Sequence, residues 1–179
     1  MIQVSEIYTD IPAELTTVVQ EQAYQAMEEL GISFERVATD EVITMEDCQQ
    51  INERLKMNMV KTLFLCNRQQ TNFYLFVTRG DKPFRSKDFS KALEIARVSF
   101  ASEELMAEIL GTKIGAATVF STLIDSEKKV QIVFDQEVVN DQWYGCSDET
   151  TTGYLKIATK DIVEKLLPYS KHDLTIIEV

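Results

Sequence analysis

The alternation of apolar and polar positions divides the chain into helical and extended stretches. Over residues 12–30, PAELTTVVQEQAYQAMEEL, the residues Leu15, Val18, Val19, Ala23, Met27 and Leu30 recur at helical intervals, with Pro12 suited to a first turn and Gly31 as a stop. ISFERVA then alternates as a strand does. TMEDCQQINERL predicts a second helix with Thr44 as its cap and Cys48, Ile51 and Leu55 facing inward. In NMVKTLFLCNRQQTNFYLFVT two apolar runs, LFLC and FYLFV, flank the polar NRQQTN, which predicts a hairpin closed by the turn-forming RGDKP. Lys61 sits at the mouth of its first strand. An ammonium there either hangs in solvent or points into something that needs a positive charge.

The second half continues the mixture. A short helix around DFSKALEIA precedes a strand-like RVSF, and Ser102 caps a helix over SEELMAEIL that Gly111 ends. AATVFSTLI and VQIVF read as strands separated by the turn DSEKK. LKIA is another strand, TKDIVEKLL a helix opened by Thr159 and stopped by Pro168, and LTIIEV a last strand. Helices mixed with adjacent hairpins predict the α+β class: a single domain over residues 1–179, with a mixed, mostly antiparallel sheet flanked by helices.

Composition adds three constraints. No apolar run approaches the roughly 20 residues of a membrane span, and the N-terminus lacks the pattern of a secretory signal, so no membrane partner is expected. Three widely spaced cysteines, Cys48, Cys66 and Cys146, suit a reducing cytoplasm and argue against a disulfide framework or a zinc site. The net charge of −11 disfavours nucleic acid, and no DNA partner is expected, yet the charge is unevenly spread. Between Lys56 and Arg97 nine basic residues face only Asp81, Asp88 and Glu94, leaving nine basic against 26 acidic residues elsewhere. Such an island either holds a phosphate backbone or is a set of solvated charges.

The usual catalytic constellations are missing. His172 is the single histidine and follows a helix stop, which reads as a surface or helix-end histidine rather than the centre of a triad. No Gly-rich phosphate loop is present, no metal site is expected, and no cofactor is implied. Two loops remain. In LGTKIGAATVFSTLID, residues 110–125, small residues after Gly115 let backbone N–H groups approach an oxyanion, or simply connect a helix to a strand. CSDETTTG, residues 146–153, is a polar, hydroxyl-rich loop before a strand.

Taken together, GISFERVATDEVITMEDC, KTLFLCNRQQTNFYLFVTRGDKPFRSKDFSKAL, RVSFASEELMAEILG, LIDSEKKVQIVFD and the C-terminal LKIATKDIVEKLLPYSKHDLTIIEV resemble the YbaK/prolyl-tRNA-synthetase-associated domain family, in particular its freestanding prolyl-tRNA deacylase branch. The resemblance runs from about residue 20 to the C-terminus. It implies a six- or seven-stranded mixed sheet flanked by helices, and hydrolysis of the ester between a wrongly attached amino acid and tRNA, typically alanine on the proline tRNA. Lys61 matches the family's strand-entry lysine, which holds the substrate end of the tRNA. The catalytic set implied is Lys61, Gly115 and Ala116. The substrate-binding set is Gly111, Ile114, Ala117, Thr118, Ser147, Thr151 and Thr152. The partners implied are aminoacyl-tRNA and, beside it, prolyl-tRNA synthetase.

Several family positions differ. The glycine loop G-x-x-P-G carries Ile114 for its proline. Ala116 and Ala117 stand for Ser and Val, and Ser121 and Thr122 for Gly-Leu. The C-H-P…N-T segment becomes Cys146-Ser147-Asp148…Thr151-Thr152. Two functions therefore compete: a trans-acting deacylase of mischarged tRNA, and a non-catalytic module that senses an amino acid or aminoacyl-tRNA on the same scaffold.

Overall fold

The computed structural model describes residues 1–179 except Ile43 and Ile114. Its elements are α1 (Val18–Leu30), β1 (Phe34–Ala38), α2 (Met45–Leu55), β2 (Val60–Cys66), β3 (Phe73–Arg79), α3 (Ser86–Leu93) and β4 (Ser99–Phe100). After them come α4 (Glu103–Leu105, widened into a π turn over Met106–Leu110), a 3₁₀ helix over Val119–Leu123, β5 (Val130–Asp135) and α5 (Gln136–Asn140). The chain closes with β6 (Trp143–Ser147), β7 (Gly153–Ala158), α6 (Thr159–Asp161, then a π turn over Ile162–Leu166 and an α turn over Leu167–Tyr169) and β8 (Leu174–Ile177).

The strands form two sheets, where the resemblance implied one of six or seven strands. One is antiparallel in the order β1-β7-β6; the other is mixed in the order β4-β2-β3-β5-β8, with β5 parallel to both β3 and β8. A parallel bridge between Met59 and Gly145 joins them. The main core lies between one face of the five-stranded sheet, the three-stranded sheet and α1, and includes Phe64, Leu75, Phe134, Tyr144 and Leu155. A second cluster fills the opposite face of the five-stranded sheet under α3, around Leu65, Phe76, Phe89 and Val133. A third packs α2 on the outer face of the small sheet through Ile51, Leu55 and Tyr154.

Local chemistry explains where elements start. The capping box of α2 is present, with Thr44 and Asp47 each accepting from the other's backbone N–H. The first helix begins at Val18 rather than Pro12, because Thr17-x-x-Gln20 caps it. The Thr17 hydroxyl accepts from Gln20 N at 3.1 Å, and Gln20 Oε1 accepts from Thr16 N at 2.8 Å. Val18, placed in the apolar stripe by periodicity, is 64% exposed, and Tyr24 takes the inner face instead.

The AATVFSTLI run is not a strand. Val119–Leu123 is a buried 3₁₀ helix whose cap, the Thr118 hydroxyl, accepts from Phe120 N. A short apolar run lacks the periodicity that separates a buried strand from a buried helical turn. The helix after Thr159 also passes Pro168, which occupies a first-turn position of the final α segment, where no N–H is needed. Strand β6 and helix α5 have no counterpart in the expectations above.

Candidate active site

Two loops and a helix start converge. The π turn of α4 ends at Gly111, in the left-handed conformation with φ 67°. A Cβ added there would lie 2.6 Å from Ile124 Cδ1, whose side-chain end would have to shift, and at ordinary contact, 3.4 Å, from Val19 Cγ2 of α1, so it is φ that demands glycine. Gly115 has φ 87° in open space. Ala116 is buried and its N–H donates to the Lys113 carbonyl at 3.1 Å, so this amide already has an acceptor. Ala117 packs on the main core, and Thr118 is buried by its capping role. Ile114 lies outside the described residues.

The 147–152 loop leaves β6 and returns into β7. Ser147 Oγ accepts from Glu149 N, and the backbone carbonyls of Thr151 and Thr152 accept from Val42 N and Thr39 N. Thr151 is half-buried and Thr152 exposed. The loop's two acids are buried, against its polar, hydroxyl-rich pattern: Asp148 is 2% exposed and Glu149 5%. Asp148 Oδ2 accepts from Gln20 Nε2 and from the Tyr24 hydroxyl, both at 2.9 Å, while Oδ1 accepts from Thr150 Oγ1 at 2.6 Å. Glu149 stands at φ 83° and accepts from the Thr17 hydroxyl.

Burial pushes the Glu149 carboxyl above the usual range. The Thr17 hydroxyl opposes that shift, neighbouring Asp148 adds to it, and Lys113 pulls it back. Lys113 thus places the glycine loop within electrostatic reach of the 147–152 loop. The Tyr24 hydroxyl is raised by burial first and by Asp148 second, so it stays a neutral donor to that carboxylate. One helix face, through Thr17, Gln20 and Tyr24, fixes both acids. Their i, i+3, i+7 spacing sets the three on one helix face without naming what that face meets.

Lys61 lies elsewhere. It pairs across the β2–β3 ladder with Thr78, and Thr62 pairs with Val77. Paired residues share a face and successive residues alternate. Val77 belongs to the main core, so Lys61 faces the other way, with Leu63 and Phe76, towards α3. Its half-buried ammonium donates to the Lys82 carbonyl. Burial lowers its pKa and Asp81 partly restores it. The structure therefore brings Gly111 and the 147–152 loop together around the start of α1, and sets Lys61 on the opposite sheet face.

His172 is not on the surface. It is 6% exposed, with Nδ1 2.8 Å from the Ser170 carbonyl and Nε2 2.9 Å from Asp125 Oδ2. Both ring nitrogens thus have an oxygen partner within the fold. Asp125 also accepts from the backbone N–H of Lys129 and Val130. This pair ties the C-terminal strand to the turn before β5.

An α+β scaffold of this kind is already represented among solved structures. One provisionally assigned as a trans-editing enzyme for prolyl tRNA synthetase superposes with a TM-score of 0.64 over 92% of this chain and 99% of its own, at 14% identity, and shows the shared fold. The family follows from the sequence itself: the aminoacyl-tRNA editing domain matches residues 39–165, and the chain belongs to that family. Among curated relatives, the prolyl-tRNA editing protein ProX of Acetoanaerobium sticklandii is 26% identical over 153 residues, covering 86% of this chain and 93% of that protein. The prolyl-tRNA synthetase associated domain-containing protein 1 of Danio rerio is 24% identical over 161 residues, covering 89% of this chain and 86% of that protein. Among the described residues, no helix is long and apolar enough to cross a membrane.

Proposed function

We propose that this chain is a trans-acting aminoacyl-tRNA deacylase of the cytoplasm, hydrolysing the ester of mischarged tRNA, with alanyl-tRNA(Pro) as the first substrate to test and prolyl-tRNA synthetase as the enzyme it works beside. The observation that carries this reading is the meeting of the glycine loop, the start of α1 and the 147–152 loop within an editing-domain fold. An aminoacyl ester is already activated and has a neighbouring ribose hydroxyl. Holding it and a water in line, with backbone donors for the developing oxyanion, therefore suffices without a triad.

In this reading the main-chain N–H groups of Gly115 and Ala117 face the oxyanion. Ala116 joins them only if its bond to Lys113 opens. Ser147, Thr151 and Thr152 line the amino-acid side, beside Gly111 and Thr118. The Asp148–Glu149 pair supplies negative potential suited to the α-ammonium of the aminoacyl group. Lys61, on the far sheet face, holds the tRNA strand rather than the ester, as a mobile point charge does for phosphate.

A second reading has its own support: the occupied Ala116 amide and the buried carboxylates of the 147–152 loop fit a module that binds aminoacyl-tRNA without turnover. Hydrolysis assays on alanyl-, cysteinyl- and prolyl-tRNA separate the two. The deacylase reading expects turnover on at least one substrate. It also expects Lys61→Ala to raise KM about tenfold while kcat changes little, since a contact made equally in ground and transition states acts on KM. Saturable binding with no hydrolysis of any of the three selects the second reading.

A further inference from the structure

The basic island folds into two parts with different fates. Arg79 pairs with Asp81 at 3.2 Å, and Lys82 pairs with Asp135 at 2.8 Å and with Glu137 at 2.9 Å. Arg85, Lys87, Lys91 and Arg97 are exposed and, among the described residues, form no ion pair. Cations left unpaired on a chain of net charge −11 are a local asymmetry that charge balance within the fold does not explain.

These cations flank a row of aromatic rings running from the core to the surface. Phe89 is buried under α3, 4.9 Å from Phe76 and 6.2 Å from Phe84; Phe84 in turn meets Phe100 edge-on at 5.5 Å. Phe100, on the two-residue edge strand β4, is 62% exposed. The Ser86 hydroxyl donates to the Val98 carbonyl and Ser90 Oγ accepts from Val98 N, so α3 and the stretch leading into β4 are fastened together. Beside them opens a cleft of about 200 Å³ walled by Thr78, Lys82, Phe84 and Arg85. The Lys61 ammonium reaches the Lys82 carbonyl in that wall.

A largely exposed ring in edge contact with a second ring, with unpaired cations along the helix and strand approach that lead into it, has the chemistry of single-stranded nucleic acid recognition. Bases stack on the ring while phosphates meet the charges. A duplex hides its base faces and has no use for Phe100. We propose that the α3–β4 face binds an unpaired RNA strand, with Phe100 as the stacking platform and Arg85, Lys87, Lys91 and Arg97 as phosphate contacts. That the strand is the 3′ end of a tRNA rests on the function proposed above; that a strand binds here does not.

The test is fluorescence anisotropy with a labelled RNA of about eight nucleotides, alongside a hairpin duplex, a polyglutamate peptide and anionic phospholipid vesicles. The expected result is binding of the strand alone. Phe100→Ala weakens it by about tenfold or more, with the salt dependence unchanged. Phe100→Leu, which keeps apolar area but no π-face, also weakens it. Replacing Arg85, Lys87, Lys91 and Arg97 by Gln flattens the slope of log K against log salt by about 0.7 per lost contact. Thermal unfolding of each variant checks that these surface changes leave the fold intact.

Strand binding unchanged in Phe100→Ala overturns the proposal, as does equal binding of the duplex, the peptide or the vesicles. The two readings fail separately. Hydrolysis of mischarged tRNA with Phe100-independent strand binding removes the α3–β4 face and leaves the deacylase. Phe100-dependent strand binding without hydrolysis removes the deacylase and leaves the face.

Discussion

Asp125 and the Asp148–Glu149 pair are all buried carboxylates, and the chain treats them in opposite ways. Burial alone would raise the Asp125 pKa, but the His172 imidazole and the N–H groups of Val130 and Lys129 outweigh it and hold the carboxyl below the usual range. Asp148 and Glu149 are served by an amide, a phenol and hydroxyls, all neutral, and the cation that acts on Glu149, Lys113, makes no ion pair with it. The first arrangement is structural, because a carboxylate matched by a ring at 2.9 Å has nothing left to attract. The second leaves two buried acids with no cation among the described residues in hydrogen-bond contact, beside the glycine loop where the proposed function seats the ammonium of its substrate.

The comparison breaks most visibly at Asp125. Asp125→Ala leaves the His172 ring without its acceptor and orphans two backbone donors, so unfolding in urea should show a loss of about 3–5 kcal/mol. The sign with pH follows from the lowered pKa: the stabilisation by Asp125 is complete above the unfolded-state value and is lost as pH falls through the folded one. Wild type should therefore weaken on the acid side, while the variant shows a flatter acid limb. A variant as stable as wild type at neutral pH would contradict the structural assignment of this pair.

Gly153→Ala acts on the other region without removing an ionisable group. A Cβ at Gly153 would fall 2.4 Å from Asp148 Oδ2. That oxygen already accepts from Gln20 and Tyr24. The carboxylate must shift and loosen both bonds, a loss of about 1–3 kcal/mol. Near-ultraviolet circular dichroism should report the change at Tyr24, and the same variant should lower deacylation if the acids position the substrate. Unchanged stability would mean that the loop yields freely.

Much of this fold was legible because its signals are local. Thr44 with Asp47, Gly31 and Gly111 as stops, and the β2–β3 hairpin are each decided by a few neighbouring residues. What stayed hidden was decided at long range. The Val119–Leu123 turn is apolar throughout, so only packing could choose between helix and strand. Cys146, Ser147 and Asp148 read as loop although the first two belong to β6, because strand formation there depends on pairing with β7. At the candidate site the glycine loop and the hydroxyl-rich loop were visible. Their link through Thr17, Gln20 and Tyr24 was not, since hydrogen bonds spanning more than 120 residues leave no mark in local pattern. Those three positions also lie outside the residues 39–165 matched by the family, so the clamp on the acids comes from a segment that this match does not cover. The strand-entry position of Lys61 was legible, and its side-chain face was set by register alone.

Glu149→Gln gives the smallest change and the sharpest contrast with Asp125. Burial raises the Glu149 pKa, so the folded state holds its proton more tightly than the unfolded chain does. Its contribution to stability is complete below the unfolded-state pKa and is lost as pH rises through the folded value, the reverse of Asp125. Above the folded value the ionised carboxylate opposes folding. Removing its charge should leave the melting temperature unchanged or raise it by no more than a few degrees, with the gain fading towards acid pH. The Thr17 hydroxyl can still donate to the glutamine carbonyl, which keeps the α1 contact. A glutamine variant that is more stable yet binds aminoacyl-tRNA less tightly would show that the charge is kept for a ligand; one that loses stability at neutral pH would mean that the Glu149 carboxylate is matched by hydrogen bonds within the fold, as that of Asp125 is.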